Sequence, residues 1–165
     1  MRRRSRLAAF LSAAVAALVL AVVSTPAHAA TRDYWSPTTE FENEYNHGQV
    51  NAAIGLRVGQ RELRVVEYFE CVLHVLTPDG YYVWRKVPCV AAEGNTYKAT
   101  APDGTVYSGT FPEASGQPVD RASETAYKCS PGTWTVEVGG RAHVQTIDTW
   151  ADIDQFHKID VNSCA

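Results

Sequence analysis

The sequence predicts an all-β antiparallel sandwich of about eight strands, stapled by two disulfides and preceded by a cleaved signal peptide. Three observations carry this. Short runs alternate apolar and polar residues with period two, Pro-Asp-Gly or Gly-rich turns separate them, and four cysteines fall in a chain with an export signal. A length of 165 residues suits one domain. With 45% apolar and 20% charged residues, the composition excludes a collagen-like repeat, a low-complexity chain and a multi-span membrane protein.

The chain opens with Arg2, Arg3, Arg4 and Arg6, and continues from Leu7 to Val23 as an apolar run broken only by Ser12. Pro26 and the small-residue site Ala27-His28-Ala29 follow, so residues 1–29 read as a secretory signal peptide cut after Ala29. Cleavage removes four of the fifteen basic residues and none of the eighteen acids. The remaining 136 residues carry a net charge of −7. Such a chain is repelled by nucleic acid and anionic lipid, and no Lys/Arg cluster offsets this. The expected product is secreted, extracellular and monomeric, with no membrane association after cleavage.

Residues 30–50 read as an N-terminal extension and 51–165 as a single sandwich domain. In the extension, Ser36-Pro37 predicts the cap of a short helix carrying Phe41 and Tyr45 and ending at Gly48. Glu40, Glu42 and Glu44 then lie on a solvated segment.

From Glu62 to Leu76, Leu63, Val65, Phe69, Cys71, Leu73 and Val75 share one face, interrupted only by Glu67. Thr77-Pro78-Asp79-Gly80-Tyr81 closes a hairpin onto Tyr81–Val90 through a three-residue loop, with Gly in the left-handed position. In that register Cys71 faces Val87 and Cys89 faces Phe69, which leaves the two cysteines diagonal and roughly 7–8 Å apart. A bridge between them then requires a bulge. Pro102-Asp103-Gly104 turns Tyr97–Thr100 into Thr105–Thr110 by the same mechanism. Phe111 to Ser123 reads as a long loop.

Pro131-Gly132 opens a strand whose Trp134, Val136 and Val138 face inward, and Gly139-Gly140 predicts a three-residue turn or bulge into Arg141–Asp148. Asp148 to Gln155 reads as one helical turn.

An even set of cysteines in a small exported domain predicts disulfides among Cys71, Cys89, Cys129 and Cys164. Sequential pairing is the first expectation, and Cys71–Cys129 across two sheets the second. Cys71, Trp84 and Tyr127-Lys128-Cys129 resemble the Cys–Trp–Tyr-x-Cys constellation of immunoglobulin domains. Pro131-Gly132-Thr133-Trp134-Thr135-Val136 is similar to the late strand of many secreted bacterial Ig-like modules. The resemblance spans about 70 residues and implies an Ig-like sandwich, not an activity. The sequence departs from it where a Pro-Gly turn and strand follow Cys129 at once, and where the hairpin puts Cys71 and Trp84 on one sheet.

The residues show no catalytic constellation. There is no G-x-S-x-G serine, and the cysteines are expected oxidised. His47 reads as a turn residue, and His74 and His143 as solvated strand residues. Within the acidic stretch Asp148, Asp152, Asp154, His157 and Asp160, the run Asp152-Ile153-Asp154 begins like a calcium loop, but His157 stands at position six where Gly belongs and no closing Glu follows. They read as a solvated acidic edge, so neither a metal nor a cofactor is expected. The aromatics are more informative. Tyr81, Tyr82, Trp84 and Trp134 fall on or beside hairpins, with Trp35 and Trp150 elsewhere. Tyr82 and Trp84 share a face with His74, Val72 and Glu70, and Tyr82, Trp84 and His74 form the candidate partner face.

Two functions compete. One is a non-catalytic secreted Ig-like domain that binds a protein or glycan. The alternative is a disulfide-stapled inhibitor of secreted amylases or proteases, similar in plan to microbial inhibitors that are exported, all-β and twice bridged. The amylase-inhibitor family carries a Trp-Arg-aromatic turn between paired cysteines. Trp84-Arg85-Lys86 matches it in two residues, with Lys86 in place of the aromatic and the triplet on a strand. For a protease, Arg85, Lys86 or the 111–123 stretch would present the scissile-like bond.

Overall fold

The computed structural model describes residues 31–42 and 48–164, which form two antiparallel sheets packed face to face. No α-helix occurs among the described residues, and none of their helical segments is long and apolar enough to cross a membrane. The expected signal peptide, Tyr45 and His47 lie outside them. The first sheet holds β1 (Arg32–Trp35), β2 (Thr39–Glu42), β3 (Gly48–Gly59), β4 (Glu62–Leu76), β5 (Tyr82–Val87), β10 (Val119–Ala122) and β11 (Tyr127–Lys128). The second holds β6 (Cys89–Ala91), β7 (Thr96–Thr100), β8 (Val106–Thr110), β9 (Ala114–Gly116), β12 (Gly132–Val144) and β13 (Thr149–Val161).

The all-β sandwich with two disulfides is thus observed, and the thirteen strands among the described residues include four short ones in stretches the sequence assigned to an extension or a loop. In place of the expected helix, Thr39–Glu42 pairs with β3 as a strand. Ser36 caps nothing helical. Its N–H donates to the Ile54 carbonyl at 2.8 Å and its Oγ accepts the Ile54 N–H at 3.1 Å, which anchors the segment to β3. β1 also pairs with β3, so the presumed extension is part of the sheet.

β4 follows the alternation closely. Leu63, Val65, Phe69, Cys71 and Leu73 are buried and Val75 is half-buried. Both three-residue Pro-Asp-Gly loops form, with Gly80 at φ 83° and Gly104 at φ 86°. At the second, the Asp103 carboxylate accepts the Thr105 N–H at 2.9 Å, which holds its pKa below the ordinary value.

Both disulfides follow the sequential pairing, Cys71–Cys89 and Cys129–Cys164. The register Cys71↔Val87 is as expected, but Cys89 does not face Phe69. Pro88 has no N–H to continue the ladder, and there the chain leaves the first sheet and enters the second as β6. Phe69 pairs instead with Val119 of β10. Cys71–Cys89 is therefore an inter-sheet bridge with Cα atoms 5.5 Å apart. Cys129–Cys164 closes the far end of the β12–β13 hairpin, just beyond the Gly132↔Val161 pair.

Gly139-Gly140 makes no turn. β12 runs straight through it, and the chain reverses at a single 3-10 turn, Gln145–Ile147, with Asp148 in the left-handed region. The expected helical turn over 148–155 is the start of β13. Asn95 explains the continuity. β12 pairs with β7 up to Gly139 and with β6 from Ala142, and the Asn95 side chain fills the gap between those ladders. Its Oδ1 accepts the Arg141 N–H at 2.8 Å, and its Nδ2 donates to the Arg141 carbonyl at 3.3 Å, imitating a strand neighbour. Only glycine leaves room for it, because a Cβ on Gly140 would lie 2.1 Å from the Asn95 amide. Gly140→Ala is expected to cost about 2–3 kcal/mol in urea unfolding through the lost buried bonds. Gly139→Ala, whose Cβ meets only Thr96 Oγ1 at 3.6 Å, should cost much less.

The core divides into two apolar clusters. One surrounds Trp134, Leu56, Leu63 and Ile159; the other surrounds Phe69, Ile153 and the inter-sheet disulfide. Glu67 sits on β4 between Val65 of the first and Phe69 of the second, and is fully buried. Arg121 meets it, Nε donating to Oε2 at 2.7 Å. Arg121 Nη2 lies 2.6 Å from the same oxygen but out of line for a hydrogen bond. Nη1 donates to the carbonyls of Ala91, Ala92 and Pro112, and the guanidinium lies 5.1 Å over the Phe111 ring. Burial pushes the Glu67 pKa above its ordinary value, and Arg121 only partly opposes this. Arg121 also explains the 111–123 stretch. It is not a free loop: β9 pairs with β6 in one sheet and β10 with β4 in the other, with Arg121 pinned between them.

Candidate functional site

The β4–β5 hairpin positions the candidate face. Thr77 clamps its tip: its N–H donates to the Tyr81 carbonyl at 2.7 Å, and its Oγ1 accepts the Tyr81 N–H at 3.2 Å. The register His74↔Trp84 and Leu76↔Tyr82 then puts three rings on one face. His74 is stacked on Trp84 with centroids 4.7 Å apart and planes 21° apart, and tilts against Tyr82 at 4.8 Å. His74 is half-buried between them, while Tyr82 is 60% and Trp84 53% exposed. The three predicted residues thus form one ridge.

The ridge continues along the outer face of the first sheet. Lys86 Nζ lies 2.5 Å from Glu70 Oε2, and that carboxylate raises the Lys86 pKa. Tyr68 Oη donates to the same oxygen at 3.4 Å, and burial and the carboxylate raise the Tyr68 pKa. Trp35 packs edge-on against Tyr68 at 6.3 Å. Sequence reasoning left Trp35 unplaced. The usable signal was Gly55 inside a strand pattern, because a Cβ there would lie 2.7 Å from the Trp35 ring.

The hairpin is exposed on its other face too. Tyr81 is 72% exposed there beside exposed Val83 and Arg85, Leu76 adds a 60% exposed apolar side chain to the ridge face opposite Tyr82, and among the described residues β5 pairs with β4 alone. It is an apolar, aromatic and cationic finger on an otherwise acidic chain.

No family model, curated protein or solved structure matches the chain. What the site does must be read from its own geometry.

The other sequence candidates disperse. Trp134 is fully buried in the core, its indole donating to the Ser130 carbonyl at 2.9 Å. Tyr127 is half-buried: its hydroxyl lies 2.6 Å from that of Tyr97, and its pKa is pushed up to about 12 by burial and that partner. His143 stacks on Trp150 at 4.7 Å on the second sheet, and its Nε2 lies 2.9 Å from Asp148. Asp152, Asp154 and Asp160 are strung along the outer face of β13, with His157 on the opposite face. No three metal-ligating side chains converge among the described residues.

Proposed function

We propose that this chain is an exported, non-catalytic, Ig-like binding domain whose β4–β5 hairpin engages a protein or glycan partner. The observation that carries the reading is the His74–Tyr82–Trp84 ridge, three rings raised on a hairpin with a hydrogen-bonded tip. A protein is the favoured partner. Rings stacked on one another present edges and a narrow crest that suits a groove, whereas a sugar needs a flat open platform. Tyr, Trp and Arg within seven residues also match the composition of binding hot spots. The two disulfides agree with an oxidising exterior.

The inhibitor reading uses the same finger. Arg85 and Lys86 lie on an exposed extended strand, fixed at its base by the Cys71–Cys89 bridge. The test immobilises the mature chain against the secreted proteins of its source, beside a panel of amylases and proteases at micromolar concentration. A protein retained by the wild type should be lost at least about tenfold with Trp84→Ala, the scale of one truncated hot spot. Retention unchanged in a folded Trp84→Ala variant would remove the ridge. Inhibition of a panel enzyme, abolished by Arg85→Ala, would convert the reading to the inhibitor.

A further inference from the structure

β13 runs for thirteen residues, pairs with β12 on one side, and has no strand on the other among the described residues. From Trp150 to Val161 this edge carries N–H and carbonyl groups that no strand among the described residues pairs, and such an edge can accept an extended chain. We propose that β13 pairs antiparallel with β13 of a second copy, about a two-fold axis through Gln155.

Charge selects this register. With Gln155 on the axis, Asp152 of each copy stands opposite Lys158 of the other, so the attractive pair forms twice. Asp154 meets Phe156, and Trp150 meets Asp160, so no like charges are directly opposed. Centring on Asp154 opposes that residue to itself. Centring on Phe156 opposes Asp152 to Asp160, and centring on Ile153 opposes Asp152 to Asp154. Lys158 is exposed and has no ion pair within the described chain. Asp152 already lies 3.0 Å from Arg141, so the paired edge holds an Arg141–Asp152–Lys158 chain of alternating sign.

Gln155 is the second observation. It points inward at only 3% exposure, yet neither its amide oxygen nor its nitrogen has a hydrogen-bond partner. On the axis it stands opposite its own equivalent. Directly opposed Cβ atoms lie about 4.5–5.5 Å apart, a span that the two amides bridge by reciprocal hydrogen bonds once each side chain turns from its buried position toward the joined edge. The exposed Phe156 and Trp150 rings gain cover on the outer face of the joined sheet. The hairpin ridge, on the other sheet, is left free.

Sedimentation velocity of the mature, disulfide-bonded chain tests this from low micromolar to several hundred micromolar. The wild type should shift reversibly from monomer to dimer. Lys158→Asp places like charges opposite each other twice and should weaken the dimer at least about tenfold. The exchange Asp152→Lys with Lys158→Asp restores opposite charges and should recover most of the lost affinity. A wild type that stays monomeric throughout overturns the proposal. So does a dimer that Lys158→Asp leaves intact, or one that the double exchange fails to restore while circular dichroism shows the fold unchanged.

Discussion

Replacing Arg121 with Met is expected to lower the unfolding free energy by about 3–5 kcal/mol at neutral pH, the cost of leaving one buried charge without its partner. Glu67 is fully buried and Arg121 only 5% exposed, so water cannot substitute. The change also strips the Ala91, Ala92 and Pro112 carbonyls of a donor. The loss should depend on pH. Burial already holds the Glu67 pKa above its ordinary 4.5, and removing Arg121 raises it further. A carboxyl with a raised folded pKa contributes its full stability below the unfolded value. It loses that contribution as pH rises through the folded value. The deficit relative to wild type should therefore be larger at pH 8 than at pH 5. Urea unfolding followed by tryptophan fluorescence at the two values measures it. Arg121→Met combined with Glu67→Leu removes both charges and should recover much of the loss.

Removing the disulfides should have an effect of the same order. The bridges close loops of 18 and 35 residues. Chain entropy alone assigns them about 3 and about 4 kcal/mol. Together that rivals the whole stability of many domains, so the chain with all four cysteines changed to Ser is expected to be largely unfolded at body temperature. The single-bridge variants should differ in kind. Loss of Cys71–Cys89 frees the crossing at Pro88 and the base of the hairpin. Loss of Cys129–Cys164 frees only the ends of β12 and β13. Hydrogen exchange on each variant separates these: the first should deprotect β5 and β6, the second residues near 130 and 162.

How far the fold was legible depended on how local its causes were. The buried face of β4 and both Pro-Asp-Gly hairpins follow from neighbouring residues, and were readable. Glu67 was visible as the break in an apolar face, but its partner lies 54 residues away in a stretch of turn-like composition. Gly139-Gly140 carries a turn signal that Asn95 overrides from another strand. Ser36-Pro37 resembles a helix cap until β3 supplies the bonds that its hydroxyl takes. The site divides the same way. One turn sets the register that joins His74, Tyr82 and Trp84, so the ridge could be named in advance. Trp35 joins that face only through the pairing of β1 with β3 over Gly55.

The hairpin ridge is the proposed contact surface. Hydroxyl-radical footprinting of the chain, alone and with the captured partner, tests it most directly. On complex formation Tyr81, Tyr82 and Trp84 should lose reactivity while Trp150 and Phe156 keep theirs. Protection confined to Trp150 and Phe156, with the ridge as reactive as in the free chain, would place the contact on the second sheet and rule out the ridge.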